Sequence, residues 1–173
     1  LIMQSNGGSL SLSAACQRPV GTVLSGPAGG AIAAKKLADR LGQADVISFD
    51  MGGTSTDVSL ISGGLQWSAQ TCISGCPIAI PVIDIHTVGA GGGSIAALDE
   101  GGALRVGPKS AGADPGPACY GRSELCTLTD AYVVLGYILP ELFLGGNMEI
   151  FPDKSLKAVK RIAKVLKLSL IHI

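Results

Sequence analysis

Apolar residues in this chain come in short runs cut by glycine, proline and hydroxyl side chains. Residues 20–24 (VGTVL) read as a first strand, closed by Ser25-Gly26-Pro27. Pro27 suits the first turn of a helix, where a missing N–H costs nothing. Ala34, Leu37, Ala38 and Leu41 then share one helical face, and Gly42 supplies the stop. Residues 46–49 predict a buried strand and residues 56–61 its partner across a glycine turn. Residues 65–70 follow as a third strand of a meander. A hairpin is expected from 95–98 and 103–106 around Glu100-Gly101-Gly102. Residues 107–123 (GPKSAGADPGPACYGRS) hold too much Pro and Gly for regular structure. An ordered loop of that length is uncommon and usually functional. Thr129 is placed to cap a helix from Asp130 to about Leu139, ended by Pro140. The last helix sets Leu156, Val159, Ala163, Leu166 and Leu170 on one face, with Lys157, Lys160, Lys164 and Lys167 towards solvent.

Composition agrees with a chain that folds around a core. Of 173 residues, 47% are hydrophobic and 15% charged, which excludes a disordered tail. Thirteen basic and thirteen acidic side chains cancel, so no general electrostatic footprint for nucleic acid or an anionic membrane is expected. No apolar run is long enough to span a membrane, and the start, LIMQSNGG, lacks the pattern of a signal peptide. Cys16, Cys72, Cys76, Cys119 and Cys126 lack metal-finger spacing, so reduced thiols in a cytoplasmic protein are expected. The first residue is not Met, which reads as a fragment.

The 25 glycines cluster in short loops, and one cluster carries candidate chemistry: VISFDMGGTSTDVSLI, residues 46–61. Asp50 ends an apolar run, where α/β sheets place ligands. Gly52 and Gly53 leave main-chain N–H groups open to anionic oxygens. Thr54, Ser55 and Thr56 add hydroxyl donors. Asp50 and Asp57 offer the hard oxygen ligands that Mg²⁺ prefers. The alternative is a plain hairpin turn, with Asp and Gly chosen for turn geometry; the residues alone leave both open.

FDMGGTSTDVSLI resembles the second phosphate motif of the actin-like ATPase superfamily. With SNGG (5–8), VLSGPAGG up to residue 30, DIHTVGAGGGSIA (84–96) and GGALRVGPKSAGADPGPACYGR (101–122), residues 3 to about 150 resemble the hydantoinase A/5-oxoprolinase family. That family includes ATP-dependent lactam hydrolases and acetone and acetophenone carboxylase subunits. The resemblance implies an α/β fold, one lobe of an actin-like (ribonuclease H-like) ATPase: a mixed sheet with flanking helices and a β-hairpin phosphate motif. Residues 3–168 would form a partial domain and 169–173 a truncated, non-native-looking tail. An earlier DxGGTFTD-type motif and a later nucleotide-contacting glycine segment are absent, and Gly21 stands where the family more often has Arg.

The implied activity is ATP-dependent opening of a lactam or hydantoin ring through carbonyl phosphorylation, with glutathione metabolism as one setting. The alternatives are the ATP-binding subunit of a ketone carboxylase and, from another class, a nucleotide-switched binding module. ATP and Mg would be the cofactors, a hydantoinase B-type subunit the partner, and the isolated segment inactive. Asp50 and Asp57 would hold Mg, with Gly52, Gly53, Thr54, Ser55 and Thr56 on the phosphates. Asp84 and His86, one residue apart, would share a strand face, with His86 in substrate binding or proton transfer. Gly91-Gly92-Gly93 is a weak nucleotide signal. Asp84, Gly91, Gly92, Asp114 and Arg122 are candidates for the substrate side, although Asp114 and Arg122 equally suit a turn-closing ion pair. Cys119 either joins Asp84 and His86 around a metal or is a buried inert thiol.

Overall fold

In the computed structural model, which describes residues 1–73 and 75–168, the chain forms two compact units. The first takes residues 1–50 and 57–88; the second takes 51–56 and, among the described residues, 89–168. The expected tail, 169–173, lies outside the described residues.

The first unit opens with β1 (Ile2–Met3) paired antiparallel with β2 (Ser9–Leu10), then α1 (Leu12–Gln17). Where a strand was expected over 20–24, Pro19–Thr22 form a 3₁₀ turn instead. Pro19 fixes a helical φ, and the Thr22 hydroxyl donates to the Pro19 carbonyl at 2.8 Å, which outweighs the strand preference of Val20 and Thr22. The predicted helix forms as α2 (Ser25–Arg40), with Pro27 in its first turn and Gly42 at φ +66° just beyond. Ala28 and Ala31 on α2 pack with Ile83, against Ile32, Leu65 and Ile85, as the core of this unit.

The remaining strands are β3 (Asp45–Met51), β4 (Thr56–Ser62), β5 (Trp67–Ser68), β6 (Thr71–Ile73), β7 (Cys76–Ile78), β8 (Val82–Ile83) and β9 (His86–Val88). The expected meander does not continue: β5 pairs with β8, β6 with β7, and β9 joins the first hairpin in the order β3-β4-β9. Nor is β3 buried. It is an edge strand, with Ile47 69% and Phe49 66% exposed. Alternation along the strand turns Ser48 and Asp50 to the α2 side and Ile47 and Phe49 away from it.

In the second unit β10 (Ser94–Leu98) and β11 (Leu104–Ser110) make the expected hairpin, with Leu98 opposite Leu104. The Asp99 carboxylate closes its turn, accepting from the N–H groups of Gly101 (3.0 Å) and Ala103 (2.9 Å) and from Arg105 Nε (3.0 Å). Those bonds, the Ala103 N–H first, hold its pKa below the ordinary value. α3 spans only Leu128–Val134, and Thr127, not Thr129, is its cap. Gly136, at φ +75°, ends it early. α4 (Pro152–Val165) follows, with Ser155, Ala158, Val159 and Ala163 buried.

Asp130, at the third position of α3, organises this unit. Its carboxylate accepts from the N–H groups of Ala118 (3.1 Å), Cys119 (2.8 Å) and Thr127 (2.9 Å) and from the hydroxyls of Thr127 (2.8 Å) and Ser155 (2.7 Å). Asp130 is 0% exposed, so these bonds replace the solvation that burial removes. Around it Cys119, Val133 and Ile150 form the second core, covered by Tyr120, Ile138 and Phe143. Among the described residues no helix is long and apolar enough to cross a membrane.

Candidate functional site

The β3–β4 hairpin carries the candidate motif. A connection this short can only reverse the chain, so the two strands run antiparallel. Three contacts fix one register: Ser62 Oγ to Asp45 Oδ1 at 2.6 Å, Ser48 Oγ to Ser59 Oγ at 2.6 Å, and Gly52 N–H to the Ser55 carbonyl at 2.8 Å. The same register sets Asp50 opposite Asp57. Both line a pocket of about 330 Å³ in the first unit, together with Ser48, Ser59, Ile85 and the Pro27–Ala34 side of α2. Gly30 of α2 leaves room there: a methyl group on it would lie 3.8 Å from Asp50 Oδ2. Asp57 Oδ1 accepts from the Thr87 hydroxyl at 2.6 Å. Thr87, missed in the sequence, is found only once β9 is known to lie beside β4.

The turn itself is exposed at Gly52, Gly53 and Thr54. Its shape is held from below by the second glycine cluster. Gly92 N–H donates to the Gly52 carbonyl at 3.0 Å and Gly93 N–H to the Gly53 carbonyl at 2.6 Å. Backbones meet this closely only without side chains: a methyl group on Gly91 would stand 2.7 Å from Thr54 N and 2.8 Å from Gly52 O and Gly53 C. Thr129 holds the lower loop in turn, its N–H and its hydroxyl both donating to the Gly92 carbonyl at 2.8 Å. With the carbonyls of Gly52 and Gly53 engaged, their neighbouring N–H groups are left for a ligand. Those of Gly53 and Thr54 have no acceptor among the described residues.

Several expected site residues are placed elsewhere. The Thr56 hydroxyl is buried and donates to the Ala90 carbonyl, so it is structural. Gly91 and Gly92 support the turn as main chain. His86 alternates with Thr87 on β9, and Thr87 meets Asp57, so His86 projects from the opposite face of the sheet and is exposed. Asp84 is exposed, flanking Ile85, which packs into the α2 core. Neither lines the pocket of Asp50 and Asp57.

Cys119 is placed as the buried thiol of the two alternatives. It is 0% exposed in the second core, and burial first, then the Asp130 charge, pushes its thiol up to about 12. Among the described residues no three His, Cys, Asp or Glu side chains cluster into a centre built of protein ligands alone. Arg122 donates to the Ala113 carbonyl at 2.8 Å and stands 3.7 Å from Asp114 Oδ1; the two close their loop as an exposed ion pair.

The hydantoinase/oxoprolinase family profile matches residues 1–173. Caprolactamase subunit alpha of Pseudomonas jessenii is 42% identical over 169 residues, 96% of this chain and 24% of that protein. The 5-oxoprolinase of Dictyostelium discoideum is 42% identical over 161 residues, 84% of this chain and 12% of its own length. Among solved structures, nucleotide-free acetone carboxylase, from work on ATP-dependent acetone carboxylation, superposes with a TM-score of 0.83 at 37% identity, over 96% of this chain and 24% of its own. The chain thus spans about a quarter or less of these relatives.

Proposed function

Because this chain belongs to the hydantoinase/oxoprolinase family, we propose that it is the phosphate-gripping segment of an ATP-dependent enzyme that opens a cyclic amide. The observation that carries the reading is the exposed 52–54 turn, its Gly52 and Gly53 carbonyls tied down by Gly92 and Gly93 and its Gly53 and Thr54 N–H groups without an acceptor among the described residues. Such fixed donors stabilise developing phosphate charge without reorganising.

Bound ATP would supply the phosphoryl group that turns an amide carbonyl oxygen into a leaving group. The chain's own part is positioning and charge compensation. The Gly53 and Thr54 N–H groups would donate to phosphate oxygens, with the Thr54 and Ser55 hydroxyls beside them. Asp50 and Asp57 fit Mg²⁺: they are hard oxygen donors, face each other across the hairpin, and border a pocket with room for the waters this ion retains. Thr87 orients Asp57 through its hydroxyl. Thr56 is left out of the ligand set, and His86 lies on the wrong face of the sheet to serve the same pocket as Asp50. A cytoplasmic setting and a hydantoinase B-type partner belong to the same proposal; the caprolactamase relative is itself described as subunit alpha.

A ketone carboxylase subunit is the second reading, favoured by the 0.83 TM-score with acetone carboxylase. Both activate a carbonyl with ATP, so one experiment serves. A family-length polypeptide carrying this segment is assayed for ATP-coupled ring opening of 5-oxoproline and caprolactam and for ATP-coupled carboxylation of acetone. Asp50→Asn should lower the active reaction by about 10²–10³-fold with an unchanged melting temperature. Equal turnover in wild type and variant would make Asp50 a turn residue and end the proposal.

A further inference from the structure

The second unit holds a pocket of about 690 Å³ that the proposed chemistry does not use. Its wall is formed by α4 and the 118–124 loop, and six cations line it: Arg122, Lys154, Lys157, Lys160, Arg161 and Lys164. Glu124 is the one acidic side chain among them. The chain carries thirteen Lys and Arg and balances them with thirteen Asp and Glu, so nearly half of its cations face one concavity.

Three of the six are already engaged. Arg161 is paired with Glu124, Arg122 with the Ala113 carbonyl and Asp114, and Lys154 donates to the Gly121 carbonyl at 3.0 Å while lying over the Phe151 ring. Lys157, Lys160 and Lys164 have no ion-pair partner among the described residues. At spacings of three and four residues they stack on one exposed face of α4. An amphipathic helix explains why they point outward. It does not explain why no acid stands between Lys157 and Lys164, since like charges at this spacing destabilise a helix; Asp153, four residues before Lys157, is the one acid on α4. The helix dipole favours Lys164 near the C-terminus but not Lys157 in the first half.

A concave wall of one charge sign concentrates counter-ions, and the volume is that of a small-molecule site. We infer that this pocket binds a compact polyanion of the phosphate class, with the charge and size of an inorganic triphosphate or the triphosphate tail of a nucleotide. Lys157, Lys160 and Lys164 supply the attraction, and the Glu124–Arg161 and Gly121–Lys154 contacts hold the rim. The site is separate from the hairpin turn and needs no divalent ion.

The test is isothermal titration of the 173-residue chain with sodium triphosphate in EDTA at low and at near-physiological salt. EDTA removes the Mg²⁺ that the hairpin site is proposed to need, so failure here leaves that reading standing. Binding at low salt that weakens as salt rises is expected. K157Q/K160Q/K164Q should weaken it by about 100-fold, as removing three water-screened charge contacts implies, while Lys109→Gln, on β11 and outside the pocket, changes nothing. ATP in EDTA, titrated in parallel, should need the same three lysines if the triphosphate tail is what is recognised. The single variant Lys160→Gln, expected to cost about fivefold, stands in should the triple variant melt early. Absence of triphosphate binding, or binding indifferent to the lysines, overturns the inference. So does lysine-dependent binding of a single-stranded oligonucleotide without any of triphosphate, which would assign the pocket to extended polyanions.

Discussion

At Asp130, three main-chain N–H groups and two hydroxyls converge on a carboxylate with no exposure. At the β3–β4 hairpin the same kinds of group are present: aspartates, Thr and Ser hydroxyls, glycine N–H groups. There Asp57 takes one hydroxyl, and the N–H groups of Gly53 and Thr54 remain without an acceptor among the described residues. The parts are alike, and what differs is saturation. Buried donors and acceptors must be paired within the protein, so the Asp130 cluster has nothing left to offer a ligand. The hairpin faces solvent, and water satisfies its open groups until something better arrives. A cluster of polar groups indicates binding only where the fold leaves it unfinished.

The sharpest way to break this contrast is to remove each carboxylate. Asp130→Ala strands four buried donors, the Ala118 N–H keeping the Leu125 carbonyl at 3.1 Å, and a loss of at least about 3 kcal/mol is expected, read from urea denaturation. Asp50→Asn and Asp57→Asn, at exposed or half-buried positions, should each stay within about 0.5 kcal/mol of wild type. A hairpin aspartate that costs as much as Asp130 would place both clusters in the structural class.

A smaller effect sharpens the account of the turn. Gly91→Ala puts a methyl group 2.7–2.8 Å from three backbone atoms of residues 52–54, and backbone cannot step aside as a side chain can. A loss of about 1–3 kcal/mol is expected. Gly53→Ala has nothing within 4 Å of the added methyl and should be close to neutral in stability, within about 0.5 kcal/mol. Equal losses would mean that the 91–93 loop does not brace the turn.

The hairpin was legible in sequence because two short apolar runs flank a glycine turn, and local pattern suffices for such an element. Its surroundings were not. Whether Thr56 reaches a ligand or Ala90 depends on a loop 34 positions away, and the face His86 takes follows from the pairing of β9 with β4. The 20–24 strand failed because a local proline turn outweighed β propensity. The Asp130 cluster left a trace in Thr127 and Asp130, three residues apart as in a capping box. Choosing Thr129 as the cap concealed it. Ser155, the most distant of its donors, gives no local signal.

The smallest expected effect separates the clusters by pH. Beside Asp130, burial and the neighbouring carboxylate hold the Cys119 thiol at about 12, and burial holds Cys126 at about 11, against an ordinary 9.0. Below pH 9 both thiols are protonated in the folded and the unfolded chain, so they add no pH dependence. Above it the unfolded chain releases these protons while the folded chain retains them. The unfolded state therefore binds fewer protons, and stability falls as pH rises from about 9 towards about 12 for Cys119 and about 11 for Cys126. Lysines also titrate in this range, so a double difference isolates the thiol. The stability gap between wild type and Cys119→Ala, from urea midpoints, should be constant between pH 7 and 8.5 and narrower by about 1.4 kcal/mol at pH 10. The equivalent gap for Asp50→Asn should not change over the same interval. A Cys119→Ala gap that stays constant to pH 10 would mean that the thiol ionises as freely in the folded chain as in the unfolded one. The second core would then be open to water, and the contrast with the hairpin would fail at its buried end.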